Sequence, residues 1–114
     1  MLNSCDFTGR IVSEPKFFES GPRALFTLAV DRDQKNENGE YDSDYLDFIA
    51  WRSTAEFVQK YFHQGDMVSV SNARAQVRSY VDSSGVKHRK VEFVAGIVYF
   101  GQAKKSDENS LNVE

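Results

Sequence analysis

The sequence predicts an all-β domain: five strands closed into a small barrel, with one short helix between the third and fourth strands. Three observations predict it. Apolar residues alternate with polar ones in five separate segments, the mark of strands with one buried and one solvated face. Clusters of Gly, Pro, Ser, Asn and Asp punctuate them. A single stretch between the third and fourth segments spaces its apolar residues three and four apart instead.

From Asn3 to Val12, Cys5, Phe7 and Ile11 face one way and Ser4, Asp6, Thr8 and Arg10 the other, and Pro15 ends this first strand. After the turn formers Ser20-Gly21-Pro22, a second strand runs from Ala24 to Asp31 with Phe26, Leu28 and Val30 in phase. A short polar connection joins the two. Asp31 to Asp44, with Asn38-Gly39 at its centre, is too polar to bury and predicts a mobile hairpin loop. The third strand, Tyr45 to Trp51, sets Leu46, Phe48 and Ala50 against Tyr45, Asp47, Ile49 and Trp51. Its two outer aromatics therefore share a face.

Ser53-Thr54-Ala55-Glu56 reads as a capping box. The helix it opens carries Ala55, Val58, Tyr61 and Phe62 as one apolar stripe and is stopped by Gly65. In the fourth strand Val68 and Val70 are even-numbered, whereas Ala73, Ala75 and Val77 are odd. A β-bulge at about Ser71 to Ala73 returns both sets to the core and leaves Arg74, Gln76, Arg78 and Tyr80 pointing outward together. Asp82-Ser83-Ser84-Gly85 is a turn, and His88 to Phe100 is the last strand, alternating Val91, Phe93, Ala95, Ile97 and Tyr99. Residues 1–101 thus form one domain, and the polar, aperiodic segment 102–114 is expected to be a disordered tail.

This order matches the OB-fold, a partly open five-stranded Greek-key barrel. A β-sandwich ranks second because it usually lacks the one helix at mid-chain.

Composition narrows the function. At 114 residues the chain suits one domain, no apolar run reaches the ~18 residues of a membrane helix, and the start lacks the features of a secretory signal. A cytoplasmic protein without membrane contact is expected. Cys5 is the only cysteine, so no internal disulfide and no thiolate metal cluster is expected, and no cofactor is implied. His63 and His88 have no Cys or carboxylate at metal-ligand spacing, and there is neither a Gly-rich phosphate loop nor a nucleophile elbow. A binding protein is expected, not an enzyme.

The formal net charge of −3 is unevenly spread. Acidic residues crowd Asp31 to Asp47 and the tail, whereas Arg74, Arg78, Lys87, Arg89 and Lys90 lie close together with Asp82 alone against them. By itself such a cluster also describes a solvated sheet face. The outward aromatics Tyr45, Trp51 and Tyr80 beside Arg74 and Arg78 supply the two parts a single strand needs: π-faces for bases and positive charge for phosphates. Trp51 could equally pack beneath the helix. Arg10 faces outward and suits either a phosphate or a surface ion pair.

Gly9-Arg10 with Pro15, Phe26 to Arg32, Asp44-Tyr45 with Trp51-Arg52 and Ala55-Glu56, Gln76 to Tyr80, the Asp82 to Gly85 turn and Val91-Glu92 follow one another in a familiar order. In these the chain resembles the bacterial single-stranded-DNA-binding protein family. The resemblance implies an OB domain that assembles as a homotetramer, a dimer of dimers, and wraps single-stranded DNA. It also implies a base-stacking platform at Tyr45, Trp51 and Tyr80. Arg10, Arg52, Arg74, Arg78, Lys87 and Arg89 are the basic residues expected to contact the DNA. The chain departs from the family pattern in four places. Arg32-Asp33-Gln34 stands where a further stacking aromatic is usual, the segment from Pro15 to Phe26 is short, and Asn72-Ala73-Arg74 is one residue longer than the usual Gly-Arg. The end, Asn112-Val113-Glu114, lacks the acidic tip through which family members recruit repair proteins, so recruitment by that route is not expected. Two alternatives keep the same fold: a primosome-like protein-interaction module, and an RNA-binding OB domain recognising the 2′-OH.

Overall fold

A computed structural model describes residues 2–101. The elements are β1 (Cys5–Ile11), β2 (Lys16–Phe18), β3 (Arg23–Lys35), β4 (Tyr41–Trp51), α1 (Arg52–Tyr61), β5 (Met67–Val81), β6 (Lys87–Val94) and β7 (Ile97–Phe100). The strands run β1-β3-β4-β6-β5 across the sheet, and β1 also pairs with β5, so the sheet closes on itself as an OB-fold barrel. One seam of the barrel is weak. β4 and β6 are parallel and meet only at Phe48 with Phe93 and Ile49 with Val94, beyond which they splay apart.

Phe48 sits at the centre of the core, its ring 5.6 Å from Phe7, 5.3 Å from Phe26 and 5.4 Å from Phe93. Ile11, Leu28, Val68, Val70 and Ala73 complete the interior, and α1 adds Ala55 and Val58.

Several expectations change. The polar connection after β1 contains a further strand, β2, too short to show a period, whose Lys16, Phe17 and Phe18 pair with Leu25, Ala24 and Arg23. The Asp31–Asp44 region is a hairpin, but strand runs on to Lys35 and resumes at Tyr41. Polar cross-strand bonds hold these arms where apolar patterning is missing: Arg32 to Asp44 at 2.9 Å, and the Ser43 hydroxyl to Asp31 at 2.6 Å. The Asn36 side chain accepts from the N–H groups of Asn38 and Glu40 and so shapes the turn.

The capping box does not form. The helix starts two residues early with Trp51 as N-cap and no side-chain cap, because Arg52 adopts a left-handed φ of 53° while its N–H donates to Pro22 O. Ser53 then lies inside the first turn, where a capping hydroxyl has no role. At the other end the extended backbone of Phe62 swings that ring into the core and leaves Tyr61 outside, so Tyr61 is not part of the buried stripe.

The bulge in β5 forms at Asn72, whose φ of 54° is one that Asn tolerates better than most residues. Phe7 pairs with Val70 and Cys5 with Ala73, so an extra β5 residue is accommodated there. The last strand breaks at the same level. Ser71 pairs with Ile97 and Arg74 with Val94, one unbroken register, and Gly96 lies against the bulge where a Cβ would stand 2.4 Å from Asn72 O. The break shifts the alternation, burying Ala95 and Val98 and turning Ile97 and Tyr99 outward. Past the bulge β5 and β6 leave the barrel as a hairpin arm, so Val77, expected in the core, is 64% exposed. The expected tail, 102–114, lies outside the described residues.

Candidate nucleic-acid interface

Strand register fixes which side chains share the barrel's outer face, because directly paired residues point the same way. On β4 that set is Tyr45, Asp47, Ile49 and Trp51, opposite Ala29, Thr27, Leu25 and Arg23 of β3. Ile49 pairs with Val94, and Val94 with Arg74, which carries the face across the weak seam to the hairpin arm. There Gln76 pairs with Glu92, Arg78 with Lys90 and Tyr80 with His88. The structure therefore brings Tyr45, Trp51, Tyr80, Arg74 and Arg78 onto one continuous face.

All three aromatics are open to solvent: Tyr45 is 68% exposed, Tyr80 47% and Trp51 45%. Trp51 does not pack beneath the helix; it ends β4 with its side chain on the outer face. Tyr45 and Trp51 lie about 20 Å apart along β4. Where β4 and β6 splay, a groove of about 530 Å³ opens, lined by Lys16, Asp47, Arg78, Tyr80, Lys90 and Glu92 among others.

Carboxylates position the cations of this groove. Lys90 ion-pairs with Asp47, which also accepts from the Thr27 hydroxyl at 2.6 Å. Partial burial pushes the Asp47 carboxyl up, but the bonds from Lys90 and Thr27 outweigh it and hold it below its ordinary value, and the Asp47 bond raises Lys90 in turn. Gln76 donates to Glu92 at 2.9 Å, and Arg78 stands 3.8 Å from the other Glu92 oxygen. Arg78 is held loosely and Lys90 tightly. At the hairpin tip the His88 ring stacks on Tyr80, and its Nε2 lies 2.6 Å from Asp82 Oδ2. The His88 bond, then the N–H of Val86, hold the Asp82 carboxyl below the usual carboxylate range.

The remaining candidates divide. Arg10 pairs with Ala29, which pairs with Tyr45, so Arg10 lies in the Tyr45 row, with its guanidinium donating to Gly65 O at 2.7 Å. Arg52 is exposed at the head of α1, next to Trp51. Lys87 and Arg89 pair with Val81 and Ser79 and lie on the opposite side of the hairpin arm, with Val77 and Val91. Lys90 and His88 take their place beside Arg78 and Tyr80. Counting outward from the Asp82–Gly85 turn would have found both, since a tight turn sets which residues face each other. Tyr41, 54% exposed with Lys35 Nζ 5.7 Å from its ring centroid, is a further aromatic of β4, in a segment whose polar composition predicts a loop. Among the described residues, no three His, Cys, Asp or Glu side chains cluster so as to hold a metal ion, and no helix is long and apolar enough to cross a membrane.

Known proteins share both fold and sequence. A small single-stranded DNA-binding protein from Streptomyces coelicolor superposes with a TM-score of 0.68, at 22% identity over 88% of this chain and 95% of that one. A Plasmodium falciparum protein solved with single-stranded DNA superposes with a TM-score of 0.73, at 19% identity and the same coverage. In sequence, Single-stranded DNA-binding protein B of Bacillus subtilis is 36% identical over 95% of this chain and 97% of its own length. Single-stranded DNA-binding protein 2 of Listeria monocytogenes is 34% identical over 94% of this chain and 68% of its own. Residues 2–101 match the profile of the Single-strand binding protein family, and it is to this family that the chain belongs.

Proposed function

We propose that the chain binds single-stranded DNA without regard to base sequence and protects it during replication, recombination or repair. The observation that carries this reading is the placement of exposed Tyr45, Trp51 and Tyr80 on one sheet face together with Arg74 and Arg78. Stacking accepts any base, and the cations meet the repeating phosphate, so neither part of the face depends on sequence. The names of the relatives from Bacillus subtilis and Listeria monocytogenes agree with it. Arg10 and Arg52 extend the phosphate track toward Tyr45 and Trp51. Lys87 and Arg89 contribute where the strand passes round the hairpin edge to its other side.

The proposal includes a homotetramer in the cytoplasm. Its support is the family resemblance and the exposed apolar side of the hairpin arm, where Val77 and Val91 pair and Val81 is 59% exposed. Light scattering tests the mass. For the function, the fluorescence of Trp51, the only tryptophan, is followed while oligo-dT, its RNA counterpart and a duplex are titrated at low and moderate salt. Quenching by oligo-dT that weakens with salt and with Tyr80→Ala is expected. Preference for the RNA would move the assignment to an RNA-binding domain, and no binding of any polymer to a protein-interaction module.

A further inference from the structure

A second group of rings and guanidinium lies across the far end of the same face. Phe18 of β2 pairs with Arg23 of β3, and Arg23 pairs with Trp51 of β4, so the three side chains form one row on the outer face. The Arg23 guanidinium carbon lies 4.5 Å from the centroid of the Phe18 ring, within cation–π range. Arg23 Nη1 donates to Ser20 O at 3.1 Å, which fixes the guanidinium plane and leaves its other donors unused by that bond. Phe18 is 38% exposed, and its neighbour Phe17 turns the other way to pack on the core.

Charge sets this row apart from the groove. Lys90 is neutralised by Asp47, and Arg78 faces Glu92. Among the described residues neither Arg23 nor Lys16 has a carboxylate within ion-pair distance. Lys16 lines the groove beside Tyr80 and Lys90, and Phe18, two residues on along β2, points to the same face. The two places are therefore joined by an uncompensated cation.

We propose that Phe18, Arg23 and Trp51 form one stacking station that takes a nucleobase and its phosphate, and that a single strand leaves the Tyr80 groove over Lys16 to reach it. This rests on the single-stranded-DNA reading and extends the platform onto β2. A base laid on Trp51 continues onto the Arg23 plane and the Phe18 ring, while free Arg23 donors reach the phosphate. The hairpin of β2 and β3 holds both side chains in place before the ligand arrives, so little ordering remains for binding to supply.

The test uses the full chain, an oligo-dT, and a tetrahydrofuran oligomer of equal length that has the sugar-phosphate chain but no bases. Phe18→Leu keeps the apolar bulk and removes the ring; it should weaken oligo-dT binding about fivefold or more and leave the baseless oligomer unaffected. Arg23→Gln should weaken both and flatten the log–log salt dependence by about one. Tyr80→Ala serves as the control for the underlying reading. If wild type binds and Tyr80→Ala weakens it, but both β2–β3 variants bind with wild-type affinity and salt slope, the station is refuted and the DNA reading stands. If Phe18→Leu lowers the thermal midpoint and weakens both oligomers alike, Phe18 is hairpin packing and the station is again refuted. Wild type that fails to bind oligo-dT removes the reading and the station together.

Discussion

The imidazole of His88 lies almost flat on the phenol of Tyr80, with ring centroids 5.2 Å apart and planes 22° from parallel. One face of Tyr80 is thereby occupied, and Asp82 anchors the covering ring through His88 Nε2. Tyr80 can take one base, on its free face. Tyr80→Ala should weaken single-stranded DNA binding by about 1 to 3 kcal/mol. His88→Ala removes only the support and should weaken it by about 0.5 to 1 kcal/mol. Titrations of both variants decide this, and an equal or larger loss for His88→Ala would make the imidazole the stacking ring.

Asp47 occupies the ammonium that would otherwise meet a phosphate. Asp47→Asn frees Lys90, so binding should tighten at low salt and the log–log salt dependence should steepen by about one. Titration at three salt concentrations measures the slope. An unchanged slope would place Lys90 away from the DNA path.

The two sides of the hairpin arm should differ in the same assay. Arg78→Ala, on the Tyr80 side, is expected to flatten the salt slope by about one, whereas Lys87→Ala should change it by less than half as much. The reverse order would route the strand over the valine side.

Stability should divide at the bulge. Phe48, buried among three other phenylalanine rings, should lose about 3 to 5 kcal/mol on Phe48→Ala. Val77→Ala, beyond the bulge, should lose about 0.5 kcal/mol or less in the monomer. Urea unfolding of each variant provides both numbers. A large loss at Val77 would mean that its side of the arm is covered in solution.

Acid should find the ion-paired carboxylates together. Glu14, held by the Gln64 N–H and His63, Asp44 by Arg32, Asp82 by His88, and Asp47 all lie below their ordinary values. A carboxylate depressed by folding stabilises the fold above its unfolded pKa, about 4, and that contribution disappears as pH falls through the lower folded value. The thermal midpoint should therefore hold from pH 7 to about 5 and drop below about 4. Asp47→Asn should shrink that drop, since Asp47 is the least exposed of the four. A midpoint that falls instead between pH 7 and 5 would point to groups other than these carboxylates.

Much of the fold was legible because burial imposes a period. The core positions Phe26, Leu28, Phe48, Val68 and Val70 follow from alternation alone, and the parity change from Val70 to Ala73 located the bulge that the structure shows at Asn72. What escaped was held by other forces. β2 is three residues long, and the arms of β3 and β4 near Arg32 and Asp44 are secured by ion pairs and hydroxyls that leave no apolar trace. The break at Gly96 answers a bulge in the neighbouring strand, so nothing in its own segment announces it. Tyr45, Trp51, Tyr80, Arg74 and Arg78 could be assigned to one face from parity. Placing Lys90 and His88 beside them, and Lys87 and Arg89 behind, required the pairing of β5 with β6.

Because the bulge at Asn72 and the break at Gly96 lie at one level without loss of register, the arm beyond them continues as a two-stranded ribbon, tied back to β4 by the Lys90–Asp47 ion pair. Its length can change without disturbing the interior, provided the change is even. Two residues added to each strand would carry Tyr80 farther out while keeping it on the cationic side. One added to each would turn every later side chain over and exchange the two sides, setting Tyr80 among the valines and Val81 above the groove. Reach along a nucleic acid is thus adjustable in this architecture only in steps of one full pleat.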